Sequence, residues 1–201
     1  MGSQNGILDV LKLTYTSLPE VLQNCLSFCC TFPQDYEFDK DDLVRMWIAL
    51  GFIQLENKRE LENIRENTMK HKGERYFDNL VKKSLFDEFH AKYKTYYKLQ
   101  YLLREMIRSV SIQECFSIVG DEELFLQNPN IIRHLFVETR NLVVRRCTNL
   151  HSLVVCNFML NDEFIDVLRK ICTTLRSIRL MCINAPFLCE IPEEIKNLRH
   201  L

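Results

Sequence analysis

Three cysteines crowd into Cys25-Leu26-Ser27-Phe28-Cys29-Cys30, the densest group of thiols in the chain. A zinc site needs a CxxC pair or a histidine at ligand spacing, and this stretch has neither. Its apolar neighbours instead predict buried free thiols. The histidines (His71, His90, His134, His151 and His200) are scattered, and none stands in an HExxH or GxSxG context. The paired carboxylates Asp41-Asp42 and Glu193-Glu194 are adjacent, so each pair points in different directions and reads as helix-start charge rather than an acid and a base. No GxxxxGK[ST] segment occurs, and the five glycines are too dispersed to cradle a phosphate. The chain is therefore not expected to be an enzyme, to hydrolyse a nucleotide or to bind a metal.

What must these residues be mounted on? The chain has 201 residues, 47% hydrophobic and 26% charged, enough for one large or two small packed domains. A net charge of −1 argues against broad affinity for nucleic acid or membrane surfaces. The charge is uneven, however. Residues 32–66 hold nine acids and five bases, and residues 67–108 hold five acids and ten bases. These read as two solvated helix faces of opposite sign, with an interface within the chain or to a partner as the other use of the contrast. No apolar run opens the chain and no stretch is long enough to span a bilayer. The glycine at position 2 is followed by Gly6 where myristoylation needs Ser or Thr. Nine cysteines without a leader suit a reducing compartment, so a cytoplasmic location is expected.

Ser17-Leu18-Pro19-Glu20 predicts a helix start capped by Ser17, with Val21, Leu22, Cys25, Leu26 and Cys29 at helical spacing and Phe32-Pro33 as the stop. A second helix is predicted to start at Asp39, to carry Leu43, Met46, Trp47 and Leu50 as its stripe and to close on Gly51. A polar helix should run from about Glu60 to Lys83 with Ile64, Tyr76 and Leu80 on its apolar stripe. Ser84-Leu85-Phe86 and Tyr93 to Tyr97 predict a hairpin. A further helix carries Leu102, Leu103, Met106, Ile107 and Val110. Helices, a hairpin and a helix in this order suit a winged-helix module.

Beyond Asp121 the texture changes to Leu-x-x-Leu-x-Leu clusters. Leu150, Leu153 and Val155 form one, and Leu175, Ile178 and Leu180 form the next, 25 positions on. Leu198 and Leu201 open another, and Ile132, Leu135 and Val137 look like an earlier, degenerate one. A period in the twenties with this pattern predicts leucine-rich repeats. Phe164, Ile165, Leu168 and Ile171 at helical spacing predict a helical outer side, and Ile191 to Ile195 a turn with a short helix.

Four ordered segments carry a more specific signal. Leu11-Lys12-Leu13-Thr14-Tyr15-Thr16-Ser17-Leu18-Pro19 resembles the LxLSYxSLP segment of plant nucleotide-binding leucine-rich repeat receptors of the coiled-coil type. Cys25 to Asp35 resembles their CFxYCxxFPxD motif, and Leu43 to Ile53 their LIxxWIAEGFI motif, with Leu50 in place of the usual Glu. Ile191 to Leu201 resembles their LPxxIGxLxHL repeat. The resemblance implies a mainly α winged-helix domain of an NB-ARC module over residues 1–118, followed by an incomplete α/β leucine-rich repeat solenoid over residues 119–201. It implies a disease-resistance receptor fragment that relays between a nucleotide switch and a repeat sensor in plant innate immunity. The intact family uses ADP or ATP with Mg, and no cofactor is expected for this chain. Expected partners are proteins, namely a nucleotide-binding domain in cis or in related receptors, with no nucleic acid and no membrane span.

One regulatory contact of that family would fall here. A Met-His-Asp triplet opens the last winged-helix helix, and its histidine meets the ADP phosphate. The matching residues are Leu99, Gln100 and Tyr101. An amide at Gln100 can donate a hydrogen bond but cannot become a cation, and Tyr101 lacks the carboxylate. Since disrupting this triplet in the family loosens the closed state, the ADP lock is expected to be altered. The outward positions beside the repeat leucines (His151, Ser152, Val154, Arg176, Ser177 and Arg179) are the candidate recognition surface. Two other readings compete: a DNA-binding winged helix using Lys92, Lys94 and Lys98 on the wing, and a truncated paralogue without function.

Overall fold

A computed structural model of the chain describes residues 2–54, 66–110, 114–120, 129–138, 147, 149–156, 162–184 and 192–201. The chain divides into two compact units, Met1–Cys30 with Gln34–Ile112, and Thr31–Pro33 with Gln113–Leu201.

The first unit holds α1 (Gly2–Thr16), α2 (Glu20–Cys29), α3 (Lys40–Ala49), α4 (Glu66–Lys82), the hairpin β1 (Phe86–His90) and β2 (Thr95–Leu99), and α5 (Tyr101–Val110). The helix α1 was not expected. It has no side-chain cap signature, and its Ile7, Val10 and Leu13 lie exposed, so its apolar residues trace no single stripe. Tyr15 anchors its end, buried with its hydroxyl 2.8 Å from Ser27 Oγ. Ser17 is accordingly no cap of α2. Its hydroxyl donates to Thr14 O at the end of α1, and Pro19 precedes α2 with no side-chain cap. Cys29 and Cys30 donate back to the carbonyls of Cys25 and Leu26, which makes them helix-internal buried thiols.

Both predicted ends of α3 are met, while of its predicted stripe Met46 is half-buried and Val44 is buried in addition. Asp39 caps it by accepting from the Asp42 N–H at 2.9 Å. Gly51 closes it at φ 77°, donating to Ile48 O while Phe52 donates to Trp47 O, a Schellman pattern that calls for a left-handed residue. Leu43, Val44 and Trp47 are buried. The hairpin pairs antiparallel from Phe86↔Leu99 to His90↔Thr95, and Phe38 bridges Tyr97 on the far side of β2. Phe77 gathers Trp47, Phe86 and Tyr97 around its ring within 6.1 Å. On α5 the buried stripe is Leu103, Met106 and Ile107. Leu102 and Val110, placed on it by spacing, are 40% and 42% exposed, because a ten-residue helix on one flat contact buries only about a third of its circumference. Glu60 and Ile64 lie outside the described residues.

The second unit is a parallel sheet of four strands in chain order, β3 (Cys115–Val119), β4 (His134–Glu138), β5 (Ser152–Cys156) and β6 (Leu180–Asn184). Helix α6 (Asp162–Thr174) crosses between β5 and β6, and a short 3-10 helix follows at Glu193–Asn197. Two apolar rows cross the sheet, Phe116–Leu135–Leu153–Met181 and Ile118–Val137–Val155–Ile183. Leu168, Ile171 and Cys172 of α6 pack under them. The division at residues 112 and 113 precedes the 118/119 boundary drawn from the sequence, because β3 pairs with β4 along its whole length.

The register differs from expectation. Spacing matched Leu153 with Ile178 and Val155 with Leu180, whereas the sheet pairs Leu153 with Met181 and Val155 with Ile183. Both Leu-x-x-Ile-x-Leu at 175–180 and Ile-x-x-Met-x-Ile at 178–183 satisfy the pattern. The choice is made where the Arg179 and Leu180 N–H groups converge on His151 O. Ile191 and the side chain of Phe164 lie outside the described residues.

Candidate functional site

The triplet position lies where β2 hands over to α5. Leu99 closes the hairpin register against Phe86 and is buried. Gln100 is the residue before the helix. Its carbonyl accepts from the Arg104 N–H at 2.9 Å, and its own N–H donates to Leu85 O at 3.3 Å. Its side-chain amide leans on Asp87 Oδ1 at 3.5 Å. Tyr101 opens the helix and is 54% exposed. The three are thus contiguous but dissimilar, with one apolar residue packed inward, one amide beside a carboxylate and one phenol open to water. An amide next to a carboxylate is poorly placed to receive a phosphate, since the Asp87 charge opposes a second anion.

Behind Gln100 lies Arg104, whose side chain is only 9% exposed. Burial first, and then Arg108, lowers its pKa, while Cys30, Glu105 and Asp35 pull the other way. Its Nη1 stands 3.4 Å from Glu105 Oε1.

Among the described residues of the first unit, four pairs join charges of the run 32–66 to charges of the run 67–108. Lys94 Nζ meets Asp39 Oδ2 at 2.8 Å, Lys98 meets Glu37 at 3.2 Å and Lys70 meets Asp41 at 3.3 Å. Lys40 reciprocates toward Asp78 at 2.6 Å. Burial alone would raise the Asp39 pKa, but the Lys94 hydrogen bond and charge and the Asp42 and Asp41 N–H groups hold it below the usual carboxylate range. Spacing found the two charge runs but not the pairs, which depend on the hairpin and α4 meeting α3 and the residues just before it. Two of the three wing lysines are therefore engaged with carboxylates, which leaves Lys92 resting on the Tyr93 ring at 5.4 Å.

Among the proposed outward positions, Arg176 and Arg179 are exposed and His151 and Ser177 half-buried. Ser152 and Val154 are buried, a correction to their reading as recognition residues. They do lie on the opposite sheet face from Leu153 and Val155, but that face is itself covered in the middle of the sheet. Phe136 beside them meets the Phe32 ring at 5.5 Å, and Ser152 Oγ pairs with His134 Nδ1 at 2.9 Å. Burial, then His151 and Arg133, pushes the His134 pKa down to about 3. Among the described residues, no group of three or more metal-capable side chains gathers, and no helix is long and apolar enough to cross a membrane.

Residues 31–107 match the sequence profile of the disease resistance protein winged helix domain, the same stretch that carries α3, α4, the hairpin and most of α5. Over this stretch the chain is similar to plant disease resistance proteins. Disease resistance protein RGA2 of Solanum bulbocastanum is 32% identical over 108 residues, 53% of this chain and 10% of that protein. Disease resistance protein RPM1 of Arabidopsis thaliana is 28% identical over 160 residues, 75% of this chain and 16% of that protein. Disease resistance protein RFL1 of the same plant is 27% identical over 212 residues, 98% of this chain and 23% of that protein. The chain thus spans about a quarter or less of the length of these relatives.

Proposed function

We propose that the chain is the relay segment of a disease-resistance receptor, in which a winged helix transmits the state of a separate nucleotide-binding domain to the first strands of a leucine-rich repeat array. The chain itself performs no hydrolysis, and it works in the cytoplasm. The observation that carries the reading is the winged-helix match over residues 31–107, followed directly by parallel strands in chain order. Leucine-rich repeats build such a sheet from one short strand per repeat, with aliphatic rows running across it. The two rows through Leu153 and Val155 have that form. The strand starts step by 19 (115 to 134), 18 (134 to 152) and 28 (152 to 180) residues, irregular but close to the repeat length. Eight described cysteines are free thiols, which suits a reducing compartment. The DNA-binding reading loses its basic wing to the Asp39 and Glu37 pairs.

The partner in this reading is the nucleotide-binding domain of a receptor, in cis or in trans. The test is co-expression of the full chain with the nucleotide-binding domain of a related receptor, followed by co-purification and assay of retained ADP. Capture of that domain is expected, with ADP retention increased when Gln100→His and Tyr101→Asp restore the His and Asp of the family triplet. Failure to capture the domain, or ATP hydrolysis by the chain alone, would overturn the reading.

A further inference from the structure

A second site lies in the C-terminal unit, independent of the relay reading. Between the end of α6 and the 3-10 helix Glu193–Asn197 is a cleft of about 670 Å³, lined by Cys172, Thr173, Arg176, Lys196, Asn197, Arg199 and His200. Three of these side chains are permanent cations, a fourth is an imidazole, and no carboxylate lines the cleft among the described residues. Arg176, Lys196, Arg199 and His200 are exposed, and none forms an ion pair with a described residue. Their neighbour Arg169 behaves differently, spending its guanidinium on Asp166 at 2.9 Å and Glu194 at 3.9 Å. In the first unit Lys40, Lys70, Lys94 and Lys98 are likewise matched to carboxylates.

Three unmatched cations around one concavity repel one another unless an anion neutralises them. The negative end of the α6 dipole contributes only about half a charge in their favour. One neutral donor stands beside them. The Asn197 amide carries two N–H groups, whereas the Thr173 hydroxyl proton is already given to the Arg169 and Lys170 carbonyls. Guanidinium forks match phosphate oxygens in pairs. A single phosphate would reach only part of a cleft this size, whereas a compact group bearing several phosphates could engage Arg176 and Arg199 together with Lys196.

We propose that this cleft binds a compact, multiply phosphorylated group, whether on a soluble small molecule or on a lipid headgroup. The test is titration of the full chain with inorganic tripolyphosphate and with inositol hexakisphosphate near physiological salt, read by calorimetry, alongside flotation with phosphatidylcholine vesicles carrying phosphatidylinositol 4,5-bisphosphate. Saturable binding at one site is expected. Arg176→Gln with Lys196→Gln should weaken it roughly tenfold or more, while Arg176→Lys retains most of it. Lys82→Gln with Lys83→Gln, exposed bases on the other unit, should leave it unchanged, and the thermal midpoint of every variant should match the parent. Binding to the soluble probes alone assigns the source as a free polyphosphate, and binding to the vesicles as well admits the headgroup. No saturable binding to any probe would overturn the proposal. So would equal loss in the Lys82/Lys83 pair, or equal flotation with phosphatidylserine vesicles of matched charge.

Discussion

Lys94 Nζ sits 2.8 Å from Asp39 Oδ2, and the same Asp39 caps α3 through the Asp42 N–H. One carboxylate therefore ties the wing to the start of the helix beneath it, satisfying an orphan backbone donor and an ammonium at once. Removing it should hurt more than removing its partner. Asp39→Ala loses the cap, about 1 kcal/mol, and a solvent-screened ion pair as well. Lys94→Ala loses only the second. Trp47, the single tryptophan, is buried in the first unit and its fluorescence reports that unit's urea unfolding. Equal destabilisation by the two variants would contradict the dual role. Because the folded Asp39 pKa is depressed, its contribution is present above about pH 4 and declines as the pH falls below that.

Gly73 on α4 should tolerate no side chain. A Cβ there would lie 2.6 Å from Val44 Cγ1 and 2.7 Å from Ile53 Cδ1, both on buried side chains. Alanine gains up to about 1 kcal/mol of helix propensity, against an overpacking cost of about 1–3 kcal/mol. The expected result for Gly73→Ala is a net loss of about 1 kcal/mol in the Trp47 transition. A stabilised variant would mean that Val44 and Ile53 repack freely.

The register of β6 has a direct mutational readout. Met181 belongs to the inward row with Leu153, and Leu180 pairs with Ser152 on the opposite face. Leu153→Ala, at a fully buried position, should cost about 2–5 kcal/mol. Met181→Ala, partly buried against the same core, should cost more than Leu180→Ala when the second unit is followed by hydrogen exchange. The reverse order would restore the 25-residue spacing in place of the observed pairing.

His134 makes the second unit acid-sensitive. An unfolded histidine titrates near 6.5, and the folded one at about 3. The folded state thus binds fewer protons, so stability is complete above about pH 6.5 and is lost on acidification down to about pH 3. The slope is at most about 1.4 kcal/mol per pH unit for this one proton. His134→Asn keeps an amide near Ser152 Oγ and should flatten the slope between about pH 6.5 and 5, where carboxylates contribute little. His151, whose pKa is lowered first by burial and then by Arg133 and Arg179, leaves a residual slope. An unchanged profile in the variant would remove His134 as its cause.

Much of the fold was legible in short stretches. Asp39, Asp42 and Gly51 announce both ends of α3 within thirteen positions, because capping is a contact between near neighbours. The hairpin was legible for the same reason, and so was α6 from Ile165, Leu168 and Ile171. Helix α1 was not, since its apolar residues face both inward and outward. The triplet Leu99-Gln100-Tyr101 was found by position, but that Gln100 leans on Asp87 is a consequence of strand pairing.

By itself the amino-acid order determined the succession of elements, the winged-helix kinship of residues 31–107 and the presence of opposed charge runs, all of which rest on propensities and spacings along the chain. Only the tertiary structure decided which lysine meets which carboxylate, that Met181 rather than Leu180 faces the core, and that Ser152 and Val154 are covered. Those outcomes depend on contacts between residues far apart in sequence. Several such contacts satisfy one local pattern equally well, and packing selects among them.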